Sequence, residues 1–366
     1  MKIEAYSPTI RRREMDAVLT AMVEKKIGPG ERNRLLIQAA KEQLKFDYAL
    51  ALRSPAVALH LALKALNVCT GQVVVISALS PRFYLQVIED LQLTPLCCDV
   101  SYDFPCMSRE TIENAISKKP SDLEICAVVL HHTLGFLSDT SAIADLGFPV
   151  IEDISQSFGS QMKTIGKKDE VDDTANGAEE NLKKNEETQV KANGTFCILG
   201  LEERDMITSG GGALLFAMNR RDGFILRNFA DLADEYCLPD INAALAVVQF
   251  KEVQKNIERR RDIIRVYTQA SFRTNHKRFI PCFEDDNNYY SFPLVLETGL
   301  KDVIAYARKK EITLENAFDK TIANIGPCED CPVSNSLALR TVLFPVYPSL
   351  RSQDMERVSK LIMTLP

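Results

Sequence analysis

Val150-Ile151-Glu152-Asp153-Ile154-Ser155-Gln156-Ser157-Phe158-Gly159 is a short apolar run that ends in two adjacent carboxylates and a polar turn. An apolar run without alternation reads as a strand covered on both faces. In an open α/β sheet, ligands gather at the carboxyl ends of the strands. Glu152 and Asp153 therefore stand where chemistry is expected. A carboxylate there is suited to pairing with a protonated ring nitrogen, and Asp153 is equally suited to capping a helix.

Outward from this stretch the pattern repeats. Gln72–Ser77, Ile125–Leu130 and Thr195–Leu199 are further continuous apolar runs, each predicting a buried strand. Amphipathic stretches separate them and predict helices over roughly Glu31–Leu44, Pro55–Leu66, Arg82–Leu91 and Arg109–Ser117. Strand–helix–strand alternation predicts an α/β fold with a mainly parallel sheet. After Pro239 the pattern changes to one long amphipathic helix, from Asp240 to about Tyr267. A strand at Tyr289–Leu296, a helix at Leu300–Lys309 and a closing helix at Ser352–Ile362 follow. The division expected is a large domain over residues 1–240 and a linking helix with a small C-terminal α/β domain over 241–366.

Residues 163–194 interrupt the pattern. Eight acidic residues and six lysines crowd a segment without apolar periodicity, which reads as a disordered insertion.

Composition narrows the class of function. The chain has 366 residues, 46% hydrophobic and 26% charged, enough for a sizeable core. No apolar run is long enough to cross a bilayer, and Met1–Pro8 has no apolar leader. A net charge of −6 gives no overall attraction to nucleic acid or anionic lipid. Arg11-Arg12-Arg13 is expected on the exposed face of a first helix. Ten scattered cysteines fit reduced thiols and a cytoplasmic location. A single Cys328-x-x-Cys331 and four histidines do not suggest a metal site, and none is expected.

Two more motifs accompany the carboxylates. In Arg53–Leu63, Ser54 is a good N-cap and Pro55 suits the first helical turn. The helix is apolar almost all round, so it is expected in the core. Its free N-terminal amides make it a candidate anion site at Ser54, Ala56 and Val57. In Ile207–Leu214, Gly210-Gly211-Gly212 permits positive φ between a loop and a strand.

Taken in order, these segments resemble the DegT/DnrJ/EryC1/StrS family of pyridoxal-phosphate-dependent sugar aminotransferases. The resemblance begins at Ile27–Gly30 and runs through Ser54–Leu63, Pro95–Val100, His132–Gly135 and Ile151–Gly159. It continues at Ile207–Gly212 and Asp240–Gln249 and ends at Leu343–Leu350. It implies fold type I: a mixed, mainly parallel seven-stranded sheet with a small C-terminal domain, usually in a homodimer. It also implies pyridoxal 5'-phosphate as cofactor and nucleotide sugars as substrates. Asp153 matches the residue that pairs with the pyridine nitrogen, and Gln156 the glutamine beside the ring hydroxyl.

Several family residues are replaced. Counted back from Ile207, the Schiff-base lysine falls at Asp205, and a carboxylate cannot condense with the cofactor aldehyde. The phosphate-binding serine falls at Gly200, the threonine of the helix start at Ala56, and the stacking ring at Pro81. Phe83 or Tyr84 takes the ring's place only if the local turn shifts. The segment contributed across the dimer reads Glu235-Tyr236-Cys237. Three readings follow. One is an aminotransferase that recruits a substitute such as Lys163 or Lys191. Another is a pseudoenzyme kept as a homodimer, as the partner of a paralogue, or as a ligand sensor. The third is a lysine-independent sugar dehydratase using an aminated cofactor, with Asp205 as base if its pKa is raised.

Overall fold

The computed structural model describes residues 2–118, 123–160, 194–281, 288–325 and 328–366. In chain order its elements begin with helices α1 (Arg12–Val23) and α2 (Glu31–Leu44), strand β1 (Tyr48–Leu52) and helix α3 (Pro55–Ala65). Next come β2 (Val73–Ser77), α4 (Phe83–Asp90), β3 (Thr94–Cys98), α5 (Arg109–Lys118) and β4 (Ile125–His131). After a 3-10 turn at Thr133–Gly135 follow α6 (Thr140–Ala144), β5 (Val150–Asp153), β6 (Phe196–Gly200), β7 (Ala213–Ala217) and α7 (Arg220–Arg227). The last third holds α8 (Asp240–Ser271), β8 (Phe292–Val295), α9 (Leu300–Lys309), β9 (Glu315–Asn316) and α10 (Ile322–Ile325). It ends with α11 (Pro332–Arg340), β10 (Thr341–Phe344) and α12 (Ser352–Met363).

Strands β1 to β7 form one sheet in the order β1-β7-β6-β5-β4-β2-β3. The pairs β6–β5, β5–β4, β4–β2 and β2–β3 are parallel, while β7 runs antiparallel to β1 and β6. Helices cover both faces, which is why β2, β5, β6 and β7 are buried along their whole length. This is the α/β fold the apolar runs predicted, and the four strands read from them are β2, β4, β5 and β6. The expected strand Tyr289–Leu296 is the shorter β8. Its first residues stay irregular around Tyr289, whose φ is 57°.

Helix α3 packs between the sheet and α4, burying Ala58, Leu59, Leu61, Ala62, Leu63 and Ala65. Each buried leucine stabilises by roughly 1.5–3 kcal/mol. The helix is held at one end by Ser54, whose Oγ accepts the Val57 amide at 3.3 Å. At Gly210, Gly211 and Gly212 φ is 74°, 142° and 121°, the left-handed backbone the triplet permits. A Cβ on Gly212 would strike Leu238, so the strand entry passes close under that side chain. The Arg11–Arg13 run opens α1, with Arg13 reaching Glu252 on α8 at 2.6 Å.

The three-stranded sheet β8-β10-β9 is antiparallel throughout. Helix α8 joins the two sheets. Ala243, Ala246, Phe250, Val253 and Ile257 pack under the large sheet, and Ile263, Tyr267 and Ala270 under the small one. Between them lies buried Arg260, whose Nη1 donates to the carbonyls of Tyr290 and Val346, each at 2.8 Å. The insertion read over 163–194 lies outside the described residues except for Gly194.

Candidate functional site

Strand β5 ends at the middle of the sheet with Glu152 and Asp153 pointing to opposite faces. Both carboxyls are buried, at 2% exposure, and each has a full set of partners.

Asp153 caps no helix; the residues after it form a turn. The Ser155 amide donates to Asp153 Oδ1 at 2.9 Å, and the Ser155 hydroxyl donates to the same oxygen. The Tyr84 phenol donates to Asp153 Oδ2 at 2.6 Å. Tyr84 sits in the first turn of α4, fully buried, with its ring edge-on to Phe83 and His131. Burial and the neighbouring Asp153 charge both hold its phenol well above its usual pKa, so it remains a donor.

Ser155 Oγ also accepts the Gly200 amide at 2.7 Å. The Asp205 carboxyl approaches Gly200 from the same side. A Cβ built on Gly200 would fall inside contact distance of both Asp205 Oδ2 and Ser155 Oγ. Asp205 Oδ2 accepts the Glu202 amide at 2.9 Å. Burial raises the Asp205 pKa to about 7; the Glu202 amide opposes that rise, and the Asp153 and Glu202 charges add to it. Two acids and a hydroxyl thus crowd the end of β6. Lys163 and Lys191, the lysines named as substitutes, lie outside the described residues.

On the opposite face Glu152 is a hub. Its Oε1 accepts His132 Nε2 at 2.8 Å and Thr140 Oγ1 at 3.0 Å, and its Oε2 accepts the Gly194 amide at 3.0 Å. The Ser138 amide donates to His132 Nδ1 at 3.2 Å, which fixes the ring proton on Nε2. Burial alone would raise the Glu152 pKa, but these donors, His132 foremost, bring it below the usual range. His131 ends β4, and burial pushes its pKa down to about 4.

The remaining site residues from the sequence fall in three places. Ser54, Ala56 and Val57 form the start of α3, with the Val57 amide satisfied by Ser54. Gln156 Oε1 accepts the Leu134 amide at 2.6 Å, which ties the β5 turn to the 3-10 turn after β4, where Leu134 has φ 57°. Pro81 pairs with Thr321 in an isolated bridge. Phe83 and Tyr84, named as substitutes for the ring, both lie in the first turn of α4, and the Tyr84 phenol points to Asp153. Sequence reasoning missed Ser155 and the His132–Glu152 pair. Their signal was present in the polar residues flanking Asp153.

A pyridoxal phosphate would need a ring-nitrogen acceptor, a phosphate cradle and an amine from these residues. The acceptor expected for the pyridine nitrogen is Asp153, and its Oδ2 already holds the Tyr84 phenol while Oδ1 holds Ser155. At Gly200, where the resemblance expects a phosphate-binding hydroxyl, the open side is filled by Asp205 and Ser155. No amine stands at residue 205. As arranged, the residues do not fit the cofactor.

Comparison with known proteins places the fold. The chain is 24% identical over 335 residues to dTDP-4-amino-4,6-dideoxy-D-glucose transaminase of Escherichia coli, covering 84% of this chain and 82% of that protein. The aminotransferase TlmJ from Streptoalloteichus hindustanus superposes with a TM-score of 0.82 at 18% identity, covering 99% of this chain and 98% of that one. Spr1654 from Streptococcus pneumoniae, in its PLP form, also gives 0.82, at 16% identity, covering 100% and 98%. The aminotransferase from Psychrobacter cryohalolentis gives 0.80 at 16% identity, covering 97% and 96%. The sequence profile of the DegT/DnrJ/EryC1/StrS aminotransferases matches residues 8–174 and 215–363. With most of its length matched in this way, the chain belongs to the DegT/DnrJ/EryC1/StrS aminotransferase family.

Proposed function

We propose that this chain is a non-catalytic member of its family, which keeps the fold but does not carry out transamination. The observation that carries this reading is the Tyr84–Asp153 hydrogen bond, closed inside a fully buried pair. It supports the reading independently of the lysine, because it sets a buried phenol on the carboxylate oxygen that a cofactor ring would need. Asp205, Gly200 and Ala56 support it from the Schiff-base and phosphate sides. The role that remains is association, as a homodimer or as the partner of an active paralogue in the cytoplasm. Nucleotide sugars, implied for an active member, then serve at most as a sensed ligand.

The test is direct. Purified full-length protein is mixed with pyridoxal phosphate, scanned for a visible absorbance band, reduced with borohydride and mapped by peptide mass. The expected result is no band and no modified lysine. A single labelled lysine anywhere in the chain returns the protein to the aminotransferases. Co-expression with an active paralogue, followed by size-exclusion chromatography, tests the partner role.

One observation favours a second reading. A lysine-independent dehydratase needs a base near neutral pH, and Asp205, held at about 7, is such a group. That reading predicts tight, non-covalent retention of pyridoxamine phosphate, measured by calorimetry. The same titration showing no heat dismisses it.

A further inference from the structure

At the β3 edge of the large sheet, three cysteines meet. Edge strand β3 carries Cys97, and the segment leading into α11 carries Cys328 and Cys331. The residue after β3, Asp99, fixes their meeting. It receives the Val333 amide at 3.0 Å, the Ser334 amide at 2.7 Å and the Ser334 hydroxyl at 2.6 Å. A carboxylate of the large sheet thereby caps the start of α11. The cap sets Cys331 Sγ at 3.6 Å from the Cys97 carbonyl. Asn335, one turn into the helix, holds Cys328 by both backbone groups: its Nδ2 donates to the Cys328 carbonyl at 2.8 Å and its Oδ1 accepts the Cys328 amide at 3.3 Å. A turn bond from the Cys331 amide to the Cys328 carbonyl, 2.9 Å, brings the two ends of the C-x-x-C together.

The Cys331 thiol donates to the Cys97 carbonyl, and both Cys331 and Cys97 neighbour the Cys328 sulfur. Those two neighbours, Cys331 foremost, lower the Cys328 pKa against the opposing pull of burial and Asp99. The neighbours themselves are held protonated, by Cys328 foremost and then by burial. Cys328 is half-buried and so reachable from solvent, while Cys331 is buried behind it; Cys97, Asp99, Asp330 and Pro332 line a neighbouring cleft of about 460 Å³.

We propose that Cys328, Cys331 and Cys97 form a redox switch, in which Cys328 reacts with hydrogen peroxide and Cys331 resolves the product as a Cys328–Cys331 disulfide. The Cys328 sulfur attacks one peroxide oxygen, the O–O bond breaks, and the departing hydroxide takes up a proton to become water. The sulfenic acid left on Cys328 is then attacked by the Cys331 sulfur. The S–O bond breaks, and the hydroxyl leaves with the Cys331 proton as a second water. Two thiols lose two electrons and two protons in all, and peroxide is reduced to two waters. Cys97 stays reduced and acts as a positioning residue beside the Cys328 sulfur. The bridge would sit in the contact between α11 and β3, so oxidation reports on how that segment is docked.

The test uses the full-length reduced protein. One equivalent of peroxide, alkylation of the remaining thiols and peptide mapping are expected to yield a Cys328–Cys331 disulfide that dithiothreitol reverses. Cys331→Ser is expected to leave a dimedone-reactive sulfenic acid on Cys328. Alkylation of Cys328 in the folded wild type should lose less of its rate between about pH 8 and about pH 6 than the same peptide in the unfolded chain, which slows about tenfold per unit. The wild-type map needs no variant to fold. A Cys328–Cys97 bridge, irreversible sulfinate at Cys328, or stoichiometric zinc in the purified protein would each overturn the proposal.

Discussion

The phenol oxygen of Tyr84 lies 2.6 Å from Asp153 Oδ2, joining helix α4 to the end of β5 across 69 residues of sequence. Neither group reaches solvent. Tyr84→Phe leaves the Asp153 oxygen without that donor while filling nearly the same volume. Loss of a buried hydrogen bond to a charged group costs about 1–3 kcal/mol. Urea denaturation should show that drop in stability with an unchanged m-value.

Asp205 predicts a pH dependence. Its pKa is raised from 3.8 to about 7, so between those values the folded chain binds more protons than the unfolded one. Its contribution to stability is therefore complete below about pH 4 and is lost as pH rises through about 7. Asp205→Asn removes the ionisation, so the variant should gain on the wild type by at least about 1 kcal/mol on going from about pH 5 to about pH 8. Parallel melting curves across that range check the sign.

Restoring the amine alone should not restore the cofactor. Asp205→Lys places a base at the family position, but Tyr84 still holds Asp153. The expected outcome is no borohydride-fixed pyridoxal phosphate in this variant. A stoichiometric adduct would mean that the Tyr84 ring yields its place readily.

Gly200→Ser restores the family's hydroxyl and tests the crowding around it. The added Cβ meets Asp205 and Ser155, and overpacking of a filled site costs about 1–3 kcal/mol. The double variant Gly200→Ser with Asp205→Ala should recover most of that loss, measured as a non-additive term in a double-mutant cycle.

His132→Ala removes the donor that dominates the Glu152 pKa and leaves a carboxylate buried at 2% exposure. Leaving a buried carboxylate short of one donor costs about 1–3 kcal/mol. The thermal midpoint should fall, and the fall should shrink in the His132→Ala, Glu152→Gln double variant.

Burial on both faces is what made parts of the fold legible. Val73–Ile76 and Phe196–Leu199 have no exposed face, so their runs are unbroken and easily read. Strand β3 escaped notice because it is an edge: Thr94-Pro95-Leu96 is partly exposed and interrupted by a proline, which edge positions tolerate. Strand β1, Tyr-Ala-Leu-Ala-Leu, has alanines that favour helix locally, and its pairing with β7 overrides them. Asp153 was legible because its place follows from topology. Its partner was not, because which side chain of α4 faces β5 depends on the phase of a helix set by distant packing. The raised pKa of Asp205 was likewise invisible, since it arises from burial and from Asp153, 52 positions earlier in the numbering.

Helix α8 has a consequence for how the molecule comes apart. One continuous rod of 32 residues serves both hydrophobic clusters, with Arg260 clamped to carbonyls on either side of the small sheet's entry. Neither cluster can melt without stripping apolar cover from a helix the other still needs. Calorimetry of the intact chain should therefore record a single cooperative endotherm, and a helix-breaking proline near Arg260 should split it in two.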